Sequence, residues 1–417
     1  MERQAMSMHH QRGARVLLAG AATAALLLGG ALGASADPIN PATGQPDLNR
    51  TIDGTGSDTT QDVLNGLAAV TLDADEELFL GSWDATIPAG DDNFIQTRPG
   101  GPQIPRPNGS SQGVAALRAA INGTTLTNAR GTSSAPLSRA DLQFARSSSG
   151  VPESTSGVLS YVPFAVDAVT YAVNEDNTTL PRNLTLDDLT KIYEADQGTT
   201  VSLSIGNRTV GREGSGAQIV PFIPQAGSGT RSFWISTIVG PESDLGTAVT
   251  DSFTDNGTGQ SRIVQEHDGS VLADVPNSIA PFSIAQFVAQ TRVAASPTHY
   301  SAAYGVTVND RRAGAELATI NSVQPLVNGR LNTAFPVARA VFNVVEHDAV
   351  ATNADLRHAF WNNPATPAVE GAIYTAVRPG TSTLVIEDFG FGSLGANGQD
   401  IAGSHYDAGD IENYRAN

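Results

Sequence analysis

At 417 residues the chain exceeds the roughly 250–300 at which a single hydrophobic core stops growing, so more than one lobe is expected. With 24 Lys+Arg against 42 Asp+Glu, a net charge of −18, it is a poor partner for nucleic acid or an anionic membrane. Cysteine is absent, which excludes disulfides, thiolate metal sites and the residue that a bacterial lipid anchor would use.

Arg12 and Arg15 lead into an apolar run from Val16 to Leu32, followed by the small-x-small triplet Ala34-Ser35-Ala36. This reads as a secretory signal over residues 1–36, cleaved after Ala36. A retained anchor is the alternative, because the run approaches the ~18 residues that can span a bilayer, but its glycines and cleavage site favour removal. The mature chain is therefore expected to be soluble, secreted or otherwise extracytoplasmic, and without a lipid anchor. Residues 37–49, with Pro38, Pro41 and Pro46, read as a flexible leader.

Beyond the leader, short apolar runs alternate with amphipathic ones, which predicts an α/β architecture with mostly parallel sheets. Strands are expected at Leu78–Leu80, Leu142–Ala145, Ala168–Val173, Ile219–Ile223 and Val341–Val345. Helices are expected at Thr59–Leu67, Val114–Ile121, Leu186–Tyr193, Arg231–Ile238, Ile284–Ala289 and Ala354–Trp361. Thr185 with Asp188, Ser283 and Asn353 each stand where a helix N-cap belongs. Asp84 to Ser110, rich in Gly, Pro and Asp, reads as a surface excursion, and Gly395 to Asn417 as a polar tail that frays.

Three segments share one design, a Gly/Ser/Thr loop running into a helical pattern: Gly54-Thr55-Gly56-Ser57-Asp58-Thr59-Thr60, Asn108-Gly109-Ser110-Ser111-Gln112-Gly113 and Ala226-Gly227-Ser228-Gly229-Thr230. A helix N-terminus presents unpaired N–H groups and the positive end of the macrodipole, glycine admits a ligand to the backbone, and Ser/Thr add hydroxyl donors. Such loops hold oxyanions. Each alone is more often a plain N-cap, but strand-to-helix junctions are also where open α/β sheets bind ligands. Phe144-Ala145-Arg146-Ser147-Ser148-Ser149-Gly150 adds a guanidinium beside hydroxyls, either an anion clamp or a surface arginine on a serine linker.

In this order, the segments resemble the phosphate-binding proteins of bacterial phosphate ABC importers, a family with the type II periplasmic-binding fold. The likeness runs through Gly54–Asp58, Asn108–Ile121, Asp141–Ser149, Val162–Asn174, Leu184–Tyr193, Ile219–Ile235, Asn277–Phe287 and Thr333–Val345, with Gly227-Ser228-Gly229-Thr230 its most specific part. The resemblance implies a two-lobed fold with crossover hinges near Tyr161–Asp167 and Ala280–Ser283. Lobe one would hold residues 50–163 and 283–393, lobe two 164–282, with 394–417 as the tail.

The implied ligand is a small phosphate-like oxyanion held in the inter-lobe cleft, with an ABC permease as partner, a monomeric state and no cofactor. The family's first-loop threonine falls on Asp58, with Thr59 after it. Its second-loop serine falls on Ser110 and its Ser-Gly-Thr triplet on Ser228, Gly229 and Thr230. Gly56, Ser57, Ser111, Ser147 and Gly227 are the neighbouring donors. The family's aspartate position holds Ser148, and the arginine position four residues before the triplet holds Pro224. Arg146 and Asp58 are therefore expected to supply the cation and the proton acceptor.

Two other function classes compete. One is a secreted structural or adhesive protein that retains the fold without a transport role. The other is a serine hydrolase using Ser111 in Gly109-Ser110-Ser111-Gln112-Gly113, although Ile104-Pro105-Arg106-Pro107 before it cannot be the central strand that a nucleophile elbow needs. His267 and His347, each in a Glu-His-Asp triplet, are expected to be solvated or locally hydrogen-bonded. Gly390–Gly395 reads as a terminal turn, and Asp73–Glu77 as a solvated acidic face. No catalytic or metal-ligating residue is assigned.

Overall fold

The structure is a computed structural model and describes residues 37–39, 47–86, 93–128, 131–363 and 371–417. Residues 1–36, read above as a secretory signal, lie outside the described residues. No helix among those described is long and apolar enough to cross a membrane. Strands β1 (Ile52–Gly56) and β2 (Leu80–Ser82) flank helix α1 (Gln61–Ala68), and helix α2 (Ser110–Asn122) leads to strand β3 (Phe144–Ser147). Strand β4 (Leu159–Asn174), helix α3 (Leu186–Tyr193), strand β5 (Val220–Pro221) and helix α4 (Gly229–Ile238) follow. After them come strand β6 (Ser278–Ser283), helix α5 (Ile284–Ala295) and strands β7 (Ala315–Leu317), β8 (Ala338–Glu346) and β9 (Arg415–Ala416).

Among the described residues these nine strands form one sheet in the order β5-β6-β4-β8-β3-β1-β2, with β7 and β9 also on β4. It is mixed rather than mostly parallel. Only β1–β2, β1–β3 and β5–β6 run parallel, while β4 pairs antiparallel with every neighbour. The first part of β4 pairs with β8, and its last residues with β6 and β7, so one continuous strand links the two ends of the sheet. The expected boundary at residue 164 falls inside it. Buried on both faces, β4 is an almost unbroken apolar run, and Pro163 sits at the bulge where its register with β8 slips, the place a strand tolerates a residue with no N–H.

The helix starts follow side-chain chemistry. Thr185 and Asp188 form a reciprocal capping box on α3, Ser283 caps α5 through the Gln286 N–H, and Asn353 caps the helix Ala354–Phe360. Residues 34–417 form one compact unit around a principal core running from Ile52 on β1 to Tyr414.

Three loop expectations need correction, two because apolar residues were scattered too thinly to form a recognisable run and one because of a buried ion pair. The excursion Asp84–Ser110 carries Ile95 and Ile104, which bury with Trp83 against Ala116, Ala120, Leu137 and Leu142 as a core of their own. The tail does not fray: Ile411 and Tyr414 are buried and Arg415–Ala416 adds a strand to β4. The described ends of the leader are docked, with Asp37 buried against Arg106 at 2.7 and 2.8 Å. The acidic segment is solvated as expected, with the Asp73 carboxylate accepting the Asp75 and Glu77 N–H groups in a tight turn.

Asp53, buried in β1, carries a testable consequence. Burial pushes its carboxyl up to about 8, only partly opposed by the Trp83 indole N–H at 2.7 Å and by Arg50. Unfolded, the group ionises near pH ~4. Its contribution to stability is therefore fullest below that pH and is lost as the pH rises towards 8. Asp53→Asn should flatten that slope and stand about 1–3 kcal/mol above the parent at pH ~8. Equal destabilisation at pH ~5 and pH ~8 in thermal denaturation would refute the assignment.

Candidate functional site

The centre of the site is built from two strands that face each other. β8 pairs with β4 so that Arg339 stands directly opposite Asp167, and the Arg339 Nε and Nη2 donate to Asp167 Oδ2 at 3.1 and 2.8 Å. Both side chains are buried. Asp167 Oδ1 accepts from the Ser283 hydroxyl and the Ala285 N–H at the start of α5, so both of its oxygens are satisfied. Arg339 also donates through Nη1 to the Ser148 carbonyl at 2.9 Å, and its guanidinium lies over the Phe233 ring, 5.2 Å from the centroid.

From Arg339 the network runs outward through two hydroxyls. Nη2 donates to Thr230 Oγ1 at 3.0 Å and reaches Thr59 Oγ1 at 3.5 Å. Thr59 comes from the loop before α1 and Thr230 from the first turn of α4, 171 residues apart, yet their hydroxyls are 3.2 Å from each other. Both donate to a single oxygen, Glu266 Oε2, at 2.9 and 3.0 Å. The other carboxylate oxygen, Oε1, is buried and accepts no hydrogen bond.

His267 completes the ring. Its Nδ1 faces the Ser283 N–H at 3.3 Å, which can only donate, so Nδ1 carries the lone pair and Nε2 the proton. That Nε2–H points at Thr59 Oγ1 (2.9 Å) and Glu266 Oε2 (3.3 Å). His267 sits in the left-handed region at φ 57°, a conformation that costs a side-chain-bearing residue energy and that aims this ring inward. Burial would raise the Glu266 carboxyl, but His267, the Ser228 side chain and Arg339 outweigh it and hold it at about 2, so it is ionised at ordinary pH. The arrangement holds one negative charge on hydroxyl and imidazole donors, one step removed from a guanidinium.

The three glycine-serine loops do converge here. Ser110 Oγ lies 3.3 Å from Ser148 Oγ and accepts the Ser148 N–H at 3.0 Å. The Ser111 N–H donates to the Gly227 carbonyl at 3.2 Å, joining the second loop to the third. The fit is close: a Cβ at Gly229 would lie 2.3 Å from both the Ser110 and Ser148 hydroxyl oxygens. Ser228 Oγ accepts the Arg231 N–H as the cap of α4, and Gly56 ends β1 opposite Arg146.

Other expected contacts point elsewhere. Arg146 is no anion clamp: its guanidinium is fully buried and donates to the Ser57 carbonyl, the Ser82 hydroxyl and the Trp83 carbonyl at 3.2, 3.0 and 2.8 Å, tying β1, β2 and β3 together. Asp58 is no free proton acceptor, because Arg311 pairs with it at 3.2 and 3.4 Å. Ser147 Oγ turns back to the Ser149 carbonyl; the Ser57 N–H is bonded to the Arg146 carbonyl, while the Ser57 hydroxyl is buried without a hydrogen bond. Ser111 is exposed, and among the described residues its hydroxyl meets no histidine. His267 is neither solvated nor bonded only to neighbours, since Thr59 is 208 residues away. The groups that sequence reading missed are Arg339, Asp167 and Glu266. The first two carry a signal, charges of opposite sign set in two largely apolar strand runs.

This centre sits where the longest strand of the sheet crosses between its two ends, and the sequence around it matches the PBP superfamily domain over residues 43–362. The chain belongs to that superfamily. Among solved structures that match, a protein from Clostridium perfringens provisionally assigned as a phosphate ABC transporter substrate-binding protein, with bound phosphate, is 14% identical. The match covers 82% of this chain and 98% of that one at a TM-score of 0.43. An ABC-type phosphate transport receptor from Vibrio cholerae is also 14% identical, covering 82% and 99% at a TM-score of 0.41. No curated protein matches the sequence.

Proposed function

We propose that the chain is an exported solute-binding protein that captures a small oxyanion, phosphate before others, between the segments of Thr59, Ser110 and Ser148 on one side and Ser228–Thr230 on the other. Arg339, rather than Arg146, is the cation of this site. The observation that carries the reading is the meeting of three separate glycine-serine loops around one buried guanidinium. Residues 50–163 with 283–393, and residues 164–282, are the two lobes, hinged along β4 and β6. The protein acts outside the cytoplasm after cleavage at Ala36, as a monomer, and hands its ligand to an ABC permease.

Calorimetry and thermal denaturation with orthophosphate, sulfate and small carboxylates test this. A ligand present at ~100 times its Kd stabilises the folded state by about 2.7 kcal/mol, so saturating orthophosphate should raise the melting temperature measurably. Absence of any shift with every anion, at concentrations up to the millimolar range, would retire the reading. A second reading, a secreted structural or adhesive protein that kept the fold without the ligand, is favoured by one observation: a protein carboxylate already receives the hydroxyl donors.

A further inference from the structure

We infer that Glu266 is a tethered occupant of the oxyanion site, an anion built into the chain that any external oxyanion must displace, and that it thereby sets which anions the protein accepts. The inference rests on the oxyanion-capture reading above and goes beyond it. Three features of Glu266 support it. Its Oε2 takes the hydroxyl protons of both Thr59 and Thr230, one from each side of the cleft, as a bound oxyanion's oxygen would. Its Oε1 is buried without a hydrogen bond, the mark of a carboxylate placed for the donors on one side and not for a complete structural network. And it is fully buried beside a pair, Arg339 and Asp167, whose charges cancel, so its own negative charge is not neutralised by that pair.

A guest anion cannot share this space. The two hydroxyls each have a single proton to give, and Glu266 holds both. A dianion entering beside it would put like charges at hydrogen-bond distance in a site from which water is excluded. Glu266 must swing out or be neutralised first. The loop that carries it allows such a movement to be driven by strain, since His267, the next residue, occupies the left-handed region at φ 57°.

The occupied fraction of the site lowers the apparent affinity for a free anion in the way any competing closed state does. Removing the competitor should therefore tighten binding, the opposite of what removing a ligand contact does. Calorimetry with orthophosphate and with sulfate on the parent, Glu266→Gln and Glu266→Ala reads this directly. Both variants should bind orthophosphate at least ~10-fold more tightly than the parent. In Glu266→Ala, acetate should raise the melting temperature by filling the vacated carboxylate position, while leaving the parent unmoved. If both variants bind orthophosphate with unchanged or weaker affinity, Glu266 is an ordinary contact or a structural acid and the inference is overturned, with oxyanion capture intact. If no anion binds the parent or either variant, oxyanion capture itself fails and takes the inference with it. Glu266→Gln preserves side-chain volume, so the comparison survives even if Glu266→Ala does not fold.

Discussion

Arg339→Ala should lower stability by about 3 to 5 kcal/mol and abolish oxyanion binding, the largest double effect expected of any single change in the site. The stability term follows from burial. Arg339 and Asp167 are both buried, so removing the cation leaves a carboxylate that can neither reach water nor find another charge. The Ser283 hydroxyl and the Ala285 N–H still serve Asp167 Oδ1, which pulls the loss towards the lower end. The Ser148 carbonyl and the Thr230 hydroxyl lose their donor at the same time.

A paired replacement separates the two effects. Arg339→Met with Asp167→Leu exchanges the ion pair for apolar side chains and should recover most of the stability, because a buried pair replaced as a unit is often neutral or better. It should not recover anion binding, since the cation is gone. Chemical denaturation midpoints and orthophosphate calorimetry on the single and paired variants check both halves. An Arg339→Ala protein that still bound orthophosphate with parental affinity would show that the cation lies elsewhere.

How much of this was legible in the sequence depends on how local each cause is. Helix α3 was read to the residue, Leu186 to Tyr193, because its start is written in Thr185 and Asp188, three positions apart. The three glycine-serine loops were legible for the same reason: glycine, serine and threonine before an amphipathic run are a local pattern. Arg146 failed because its surroundings are not local. A guanidinium beside three serines looks solvent-facing in sequence, yet strand pairing with β1 buries it against carbonyls contributed by Ser57 and Trp83. Arg339 and Asp167 were missed because only the antiparallel register of β8 on β4 places them opposite each other, and register is set by long-range pairing. Glu266 is the hardest case. Nothing in Glu-His-Asp-Gly distinguishes a solvated turn from one folded inward, and the partners that decide it lie 207 residues back at Thr59 and 36 back at Thr230.

A close backbone approach between the second and third loops sets a second large effect, at Gly109. This residue has φ 104° and ψ 167°, and a Cβ there would lie 2.6 Å from the Gly227 carbonyl oxygen and 3.0 Å from its carbon. Both are backbone atoms, so no side-chain rotation relieves the clash. The two loops must separate, and the bond from the Ser111 N–H to that same carbonyl, 3.2 Å long, breaks as they do. Gly109→Ala should weaken orthophosphate binding by ~100-fold or more, about 2.8 kcal/mol, because the donors on the two sides can no longer reach one guest. The control is Gly123→Ala at the end of α2. That glycine is also left-handed, at φ 68°, but an added Cβ there meets nothing within 4 Å. Gly123→Ala should cost about 1–2 kcal/mol of stability from backbone strain alone and leave affinity untouched. Equal affinity losses in the two variants would assign the Gly109 effect to general destabilisation. A loss confined to Gly109→Ala would locate it in the contact between the second and third loops, where the oxyanion reading requires it to be.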